Sequence, residues 1–419
     1  MLEFSDAAYR FFPAEPSHFL IRTGRALNRY VVLPGKNHRI PEIRVEGETE
    51  ALREARARGD RLLYVINHPS HSDPQVITEV HRRLGQASSF MAAYDVFLRS
   101  RFTAWTMQKL GHFSVDRDSG DRRAMAAAIE ILGRGESALN IFPEGNVYLT
   151  NDRVTPFLDG TAFIAVKAQQ GLDEARVQIV PVSLKYTHLT APREAVTRRM
   201  IRLAADSGHT FPPGSTGDPL ASMLGLGLHI LRTFLQTHGY ETEMADSGKS
   251  VHEILGSFAG GLVTGLEEEL GLVSATEVGL VDRIRKVRST IHQVRTAPEA
   301  KETQQTDALA RRAILALRVH GYLTPYLTEK PTIDRYEETA ERIAEDFYSQ
   351  AMPRTGPRRA IARIHAPIAV RSALEAVGGK TRDAVPSLTR AMENAVQAGV
   401  DEINRRNDAP GARFVEEAG

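Results

Sequence analysis

The pattern that most constrains this chain runs from about Arg61 to Tyr186, where short apolar runs alternate with helical stretches. Leu62–Ile66, Ser89–Ala93, Phe113–Val115, Ala138–Phe142 and Val177–Leu184 read as strands, bounded by polar or glycine-containing turns. Between them, Ala124–Leu132 and Thr161–Gln169 are alanine-rich and read as helices. Strand and helix in alternation predict an α/β unit with a mixed, mainly parallel sheet flanked by helices.

After Tyr186 the character changes. Long helical patterns take over, broken by Pro212-Pro213-Gly214 and by Pro298, Pro325, Pro331, Pro353 and Pro357, with no convincing strand. The division expected is an N-terminal arm at residues 1–44, an α/β domain at 45–205 and a mostly α-helical C-terminal region at 206–419. A chain of 419 residues has room for two such folding units, at roughly 100–200 residues per domain.

Composition removes several classes of function. With 53 basic against 52 acidic residues the net charge is +1, so no global field draws the chain to nucleic acid. Cysteine is absent, which excludes disulfides, thiolate metal sites and a cysteine nucleophile, and which fits a reducing cytosol. Met1–Tyr30 is interrupted by acids and prolines and reads as lacking an export signal. The longest apolar stretch, Leu220–Leu235, carries His229 and Arg232 and falls short of the roughly 20 residues a span needs, so no transmembrane helix is predicted.

Two segments have an amphipathic look. In Val281–Val294 the apolar Val281, Ile284, Val287, Ile291 and Val294 recur at helical spacing, with Arg283, Arg285, Lys286 and Arg288 outside that stripe. Either the basic residues are the solvated outer face of a packed helix, or they meet a membrane or an acidic partner. In the N-terminal arm, Phe11, Phe12, Phe19, Leu20, Leu27 and Tyr30 are interleaved with Arg22, Arg25 and Arg29, and core packing and membrane contact are equal readings.

Chemistry is expected where the strand ending at Ile66 runs into Asn67-His68-Pro69-Ser70-His71-Ser72-Asp73-Pro74, because open α/β sheets place ligands at the carboxyl ends of their strands. A turn leading into a helix can bring the Asp73 carboxylate to one nitrogen of His68 and leave the other nitrogen free as a base. Two rival readings stand beside this. His68, His71 and Asp73 could ligate a metal, although no further cluster comes after them at ligand spacing. Otherwise His and Asp merely satisfy backbone groups of a turn.

Two further stretches sit where strands give way to turns: Gly111-His112-Phe113-Ser114-Val115-Asp116-Arg117 and Phe142-Pro143-Glu144-Gly145. Taken in order with Asn67-His68 and Asp73 before them and Val180-Pro181-Val182 after, they resemble the four motif blocks of the glycerol-3-phosphate and lysophosphatidate acyltransferase family, over about residues 55–190. Pro156-Phe157 with Gly160 also resembles the segment that family carries just after its third block.

The resemblance implies a fatty acyl transfer from acyl-CoA or acyl carrier protein to a glycerolipid hydroxyl, most simply 1-acyl-glycerol-3-phosphate, with no metal, cofactor or covalent enzyme intermediate. It implies His68 as the base and Asp73 as its orienting partner. Arg117, Glu144, Gly145, Gly111 and Asn67 would bind the acceptor, and Pro181 would border the acyl-donor side. Chemistry agrees, since an arginine fork suits a phosphate and a His/Asp pair suffices when the nucleophile belongs to the substrate. Another lysophospholipid or an aminolipid as acceptor, or a non-catalytic scaffold, remain alternatives. A lipid acceptor implies a peripheral position on the cytoplasmic face of a membrane.

Overall fold

The computed structural model describes residues 9–117, 120–211, 218–237, 251–273, 277–296, 304–322 and 325–415. The Pro212-Pro213-Gly214 stretch, Pro298 and the first eight residues of the arm lie outside them.

Among the described residues, eight strands form one sheet: β1 (Glu42–Gly47), β2 (Arg61–Ile66), β3 (Ser88–Ala93), β4 (Phe113–Val115), β5 (Ala138–Ile141), β6 (Val177–His188), β7 (Arg358–Ile364) and β8 (Ile368–Ala369). Their order is β1-β7-β6-β2-β5-β3-β4, with β8 on β6. All pairings are parallel except those of β7 and β8 with β6. The mixed, mainly parallel sheet and the many helices after it are as the sequence predicts.

The period-two alternation of β2 explains why it lies in the middle. Leu63 and Val65 join one core with Ala124, Ala128, Leu132, Ile164 and Met392, beneath helices Arg122–Arg134, Gly160–Gln170 and Thr381–Arg406. Leu62, Tyr64 and Ile66 join the opposite core with Val76, Ile77 and Val80 of helix Asp73–Arg83. A strand covered on both faces must be apolar on both, which is why these segments are near-continuous apolar runs.

The absence of strands after Tyr186 is corrected. β7 lies between β1 and β6, parallel to the first and antiparallel to the second. Its alternation is masked by Arg358, Arg359 and Arg363, and two of these are needed in the sheet. Register places Arg359 opposite Glu42 and Arg363 opposite Glu46, and the two pairs close at 2.9 and 3.4 Å. Opposite charges facing each other across strands favour that register over a slipped one.

Helices Pro219–Thr237, Val251–Glu269, Leu280–Thr296 and Gln304–His320 share a third apolar cluster. The basic helix is a packed one. Val281, Ile284, Val287 and Ile291 are buried, and Arg283 turns inward to a two-pronged pair with Glu267 at 3.0 and 2.7 Å. Among the described residues, no helix is long and apolar enough to cross a membrane. The N-terminal arm divides in two. Phe12 bonds to Ser114 of β4 and stacks on Phe97, whereas Phe19, Leu27, Tyr30 and Val31 are exposed.

Two histidines lie in the sheet region: His81 is fully buried and bonds Asn140 at 2.7 Å, and His112, on the wall of a cleft, packs edge-on to Phe90. Burial lowers both from near 6.5 to about 4. The unfolded chain therefore takes up protons first as pH falls, so this contribution is complete above 6.5 and is lost between 6.5 and 4. For the fully buried His81 that loss is on the order of 3 kcal/mol. Urea unfolding at pH 7.5 and 5.0 should show a shallower pH slope in His81→Leu than in the wild type, and equal slopes would count against a neutral buried His81.

Candidate active site

The strand β2 delivers its last residue, Ile66, to the edge of the sheet, and the chain then turns through Asn67–Ser72 into helix Asp73–Arg83. Pro74 in the first turn suits this start, because the missing N–H is one the helix would leave unpaired anyway. Asn67 holds the turn down. Its Nδ2 donates to the Leu184 carbonyl at 2.8 Å and its Oδ1 accepts from the Leu184 N–H at 2.7 Å. Glu144 supports the turn from beneath, accepting from the N–H of His68 at 2.6 Å and that of Thr155 at 2.9 Å. Burial raises Glu144 to about 7, against the pull of those two N–H groups. Asn67 and Glu144 are thus turned inward and do not line the cleft: both sit beside the turn and both shape it.

His68 and Asp73 come together. Nδ1 of His68 lies 2.6 Å from Oδ2 of Asp73, an oxygen that also accepts the Ser70 N–H at 3.0 Å. The other oxygen, Oδ1, accepts from the Tyr186 hydroxyl at 2.6 Å. Asp73 has no exposed surface, and a buried carboxylate is tolerable when its lone pairs are filled this way. Burial, with Asp73 beside it, keeps the Tyr186 phenol protonated, so it donates. The imidazole stacks on Phe142 with centroids 4.2 Å apart, which fixes its plane, and no described residue holds its Nε2.

His71 goes elsewhere. Its Nε2 meets Glu345 at 3.0 Å, so it does not join His68, and the described residues contain no cluster of three or more metal-ligating side chains. Glu345 belongs to helix Ile333–Tyr348, one face of which is a row of buried acids. Two arginines link that face to the turn. Arg354 pairs with Glu341 and donates to Ser70 Oγ at 3.2 Å, and Arg358 donates to Ser72 Oγ at 3.2 Å while lying over the Tyr186 ring.

His68 opens onto a cleft of about 870 Å³ between the sheet and the N-terminal helix His18–Leu27. Its walls include Phe90, Met91, Val115, Ile141 and Phe142, and Arg117 and Gly145 also line it. Gly145 has φ +76°, and an added Cβ would press on Leu158, so the turn needs glycine. Arg117 donates to the Gly145 carbonyl at 3.1 Å, to Asn146 Oδ1 at 2.7 Å and to Asp95 at 2.9 Å, holding the third block against β4.

Two expected residues lie apart. Gly111, at φ +87°, sits at the start of β4, the end of the sheet remote from His68. Pro181 is buried within β6 opposite Val65 and does not line the cleft. It is tolerated in a central strand because the pairing of β8 with β6 ends at Ile179 and that of β7 starts at Val182, leaving a gap where its missing N–H falls.

Sequence reasoning missed Tyr186, Arg354, Arg358 and Asp95. Tyr186 had a signal: it continues the alternation of Val182 and Leu184, which face the same core. The arginines had none, since they reach the turn across more than 280 positions.

Residues 42–185 match the family model described as Acyltransferase. No curated protein matches the chain. The matched span takes in the turn, Asp73, Arg117 and the Glu144-Gly145 block, and stops one residue before Tyr186. Over residues 42–185 the chain is therefore similar to the Acyltransferase family, and that stretch holds the whole catalytic turn.

Proposed function

We propose that the chain moves a fatty acyl group from acyl-CoA or acyl carrier protein to a glycerolipid hydroxyl, with 1-acyl-glycerol-3-phosphate as acceptor and phosphatidate as product. The observation that carries this is the His68–Asp73–Tyr186 chain opening on the cleft beside Arg117. With Nδ1 held by Asp73, Nε2 takes the proton of the acceptor hydroxyl as its oxygen attacks the thioester carbonyl. The carbon–sulfur bond then breaks, and the thiolate leaves with the proton that His68 carried. The nucleophile belongs to the acceptor, so the transfer is written without a metal, a bound cofactor or a covalent enzyme intermediate. Arg117 supplies positive charge for the acceptor phosphate.

A second reading, the same transfer to another lysophospholipid or to an aminolipid, is favoured by Asp95. Its carboxylate already pairs with Arg117 and offsets the charge a phosphate would meet.

The lipid acceptor calls for membrane contact. Phe19, Tyr30 and Val31, 73%, 77% and 58% exposed, lie on the arm beside its arginines, and Phe102 and Trp105 are exposed on helix Arg101–Lys109, whose end bonds the arm at Glu15 and Ser17. Peripheral attachment through this surface, on the cytoplasmic face, accounts for that exposure, and nucleic acid has no part in it.

Release of CoA thiol from oleoyl-CoA with 1-acyl-glycerol-3-phosphate should be at least 10²-fold slower in His68→Ala than in the wild type, the usual worth of a general base. Activity surviving in that variant would break the mechanism, and running the assay over other lysophospholipids and aminolipids decides between the acceptors. The wild-type protein should sediment with anionic vesicles at low salt, and failure to do so would remove the membrane from the account.

A further inference from the structure

A second cleft of about 540 Å³ lies at the far end of β3, where Arg22, Arg25 and Arg29 of the N-terminal arm face Arg82 of helix Asp73–Arg83. The four arginines are only partly neutralised in place. One buried carboxylate, Glu79, serves Arg82 at 2.7 Å, Arg83 at 2.9 Å and Arg29 at 3.7 Å. Arg25 bonds only a carbonyl, that of Gln86, and no described carboxylate pairs with Arg22. Glu136 is the acid that lines the cleft, and it is exposed at the rim. Burial and the neighbouring Arg82 lower the Arg25 guanidinium, as expected of like charges held together without a counter-ion.

This cleft adjoins the catalytic one, with Ile21, Arg25, Ser88 and Leu110 lining both. The catalytic cleft is lined by Ser88 at the start of β3 and by Ala93 at its end, so it runs along a strand of six residues, roughly 20 Å, from the arginines to the catalytic turn. A ligand filling both clefts has a reactive group at one end, a slim arm, and a polyanion at the other. An acyl-CoA has that form. From its sulfur to its diphosphate the pantetheine arm is equivalent to four or five residues of extended chain, roughly 15 Å.

We infer that the arginine cleft is the subsite for the phosphates of CoA, with the pantetheine arm laid along β3 and the thioester delivered to His68. Gly111 lines the same cleft, and its lack of a side chain leaves room beside Pro16 and Ser89. The inference rests on the acyl-thioester reading and chooses CoA as the donor.

Calorimetric titration of the full chain with CoA and with phosphate-free pantetheine tests it independently of turnover. CoA should bind at least tenfold more tightly than pantetheine, adenosine 3′,5′-bisphosphate should compete with it, and Arg22→Gln/Arg25→Gln should lose most of the difference. Arg134→Gln, at an exposed pair with Glu130, should bind CoA as the wild type does. Equal affinities for CoA and pantetheine would overturn the subsite. So would a double variant that keeps its CoA affinity but no longer sediments with anionic vesicles, which would assign the arginines to lipid headgroups. If CoA binds as expected while no acceptor is acylated, the subsite stands and the transfer reading falls. If acceptors are acylated while CoA and pantetheine bind alike, the reverse holds.

Discussion

One buried carboxylate organises the candidate site. Asp73 takes donors from His68, Ser70 and Tyr186, and each donor comes from a different constraint. Ser70 closes the turn on itself, His68 supplies the chemistry, and Tyr186 ties both to β6. An unpaired charge so deep would cost several kcal/mol, so the three contacts stand or fall together. The imidazole orientation thus results from burial of its partner and needs no separate explanation.

Part of the support for that carboxylate and its turn comes from outside the matched stretch. Tyr186 lies one residue past it, and Arg354 and Arg358 more than 160 positions further on, on the segment that becomes β7. Behind them, helix Ile333–Tyr348 buries acids in contrasting states. Burial alone would raise Glu337, but His188 and the arginines Arg199, Arg354 and Arg358 hold it down at about 2, whereas burial wins at Glu338 and raises it to about 8. Removing one member of a buried pair typically costs 3–5 kcal/mol, mostly from the charge left behind. The C-terminal region therefore completes both the sheet and the floor of the catalytic turn.

Legibility tracked sequence distance. The strands β2 to β6 were readable because two-sided burial writes itself as apolar runs. β1 and β7 were not, because they are bound by the pairs Glu42–Arg359 and Glu46–Arg363, and a charge gives no hint of a partner over 300 residues away. His68 and Asp73 were legible together because one turn joins them. Asn67 and Glu144 were recognisable as members of the site but not in their roles, since a motif does not say which way a side chain points. Their polar atoms serve the backbone of Leu184, His68 and Thr155.

Nitrogen-15 NMR of the His68 ring tests the central claim most directly, because hydrogen positions on a histidine must be observed rather than inferred from heavy atoms. At mildly alkaline pH a proton is predicted on Nδ1, shared with Asp73, and a bare Nε2 facing the cleft. Asp73→Asn should disturb that preference. A proton resident on Nε2 in the wild-type protein would leave no base where the acceptor hydroxyl must give up its proton, and would contradict the mechanism.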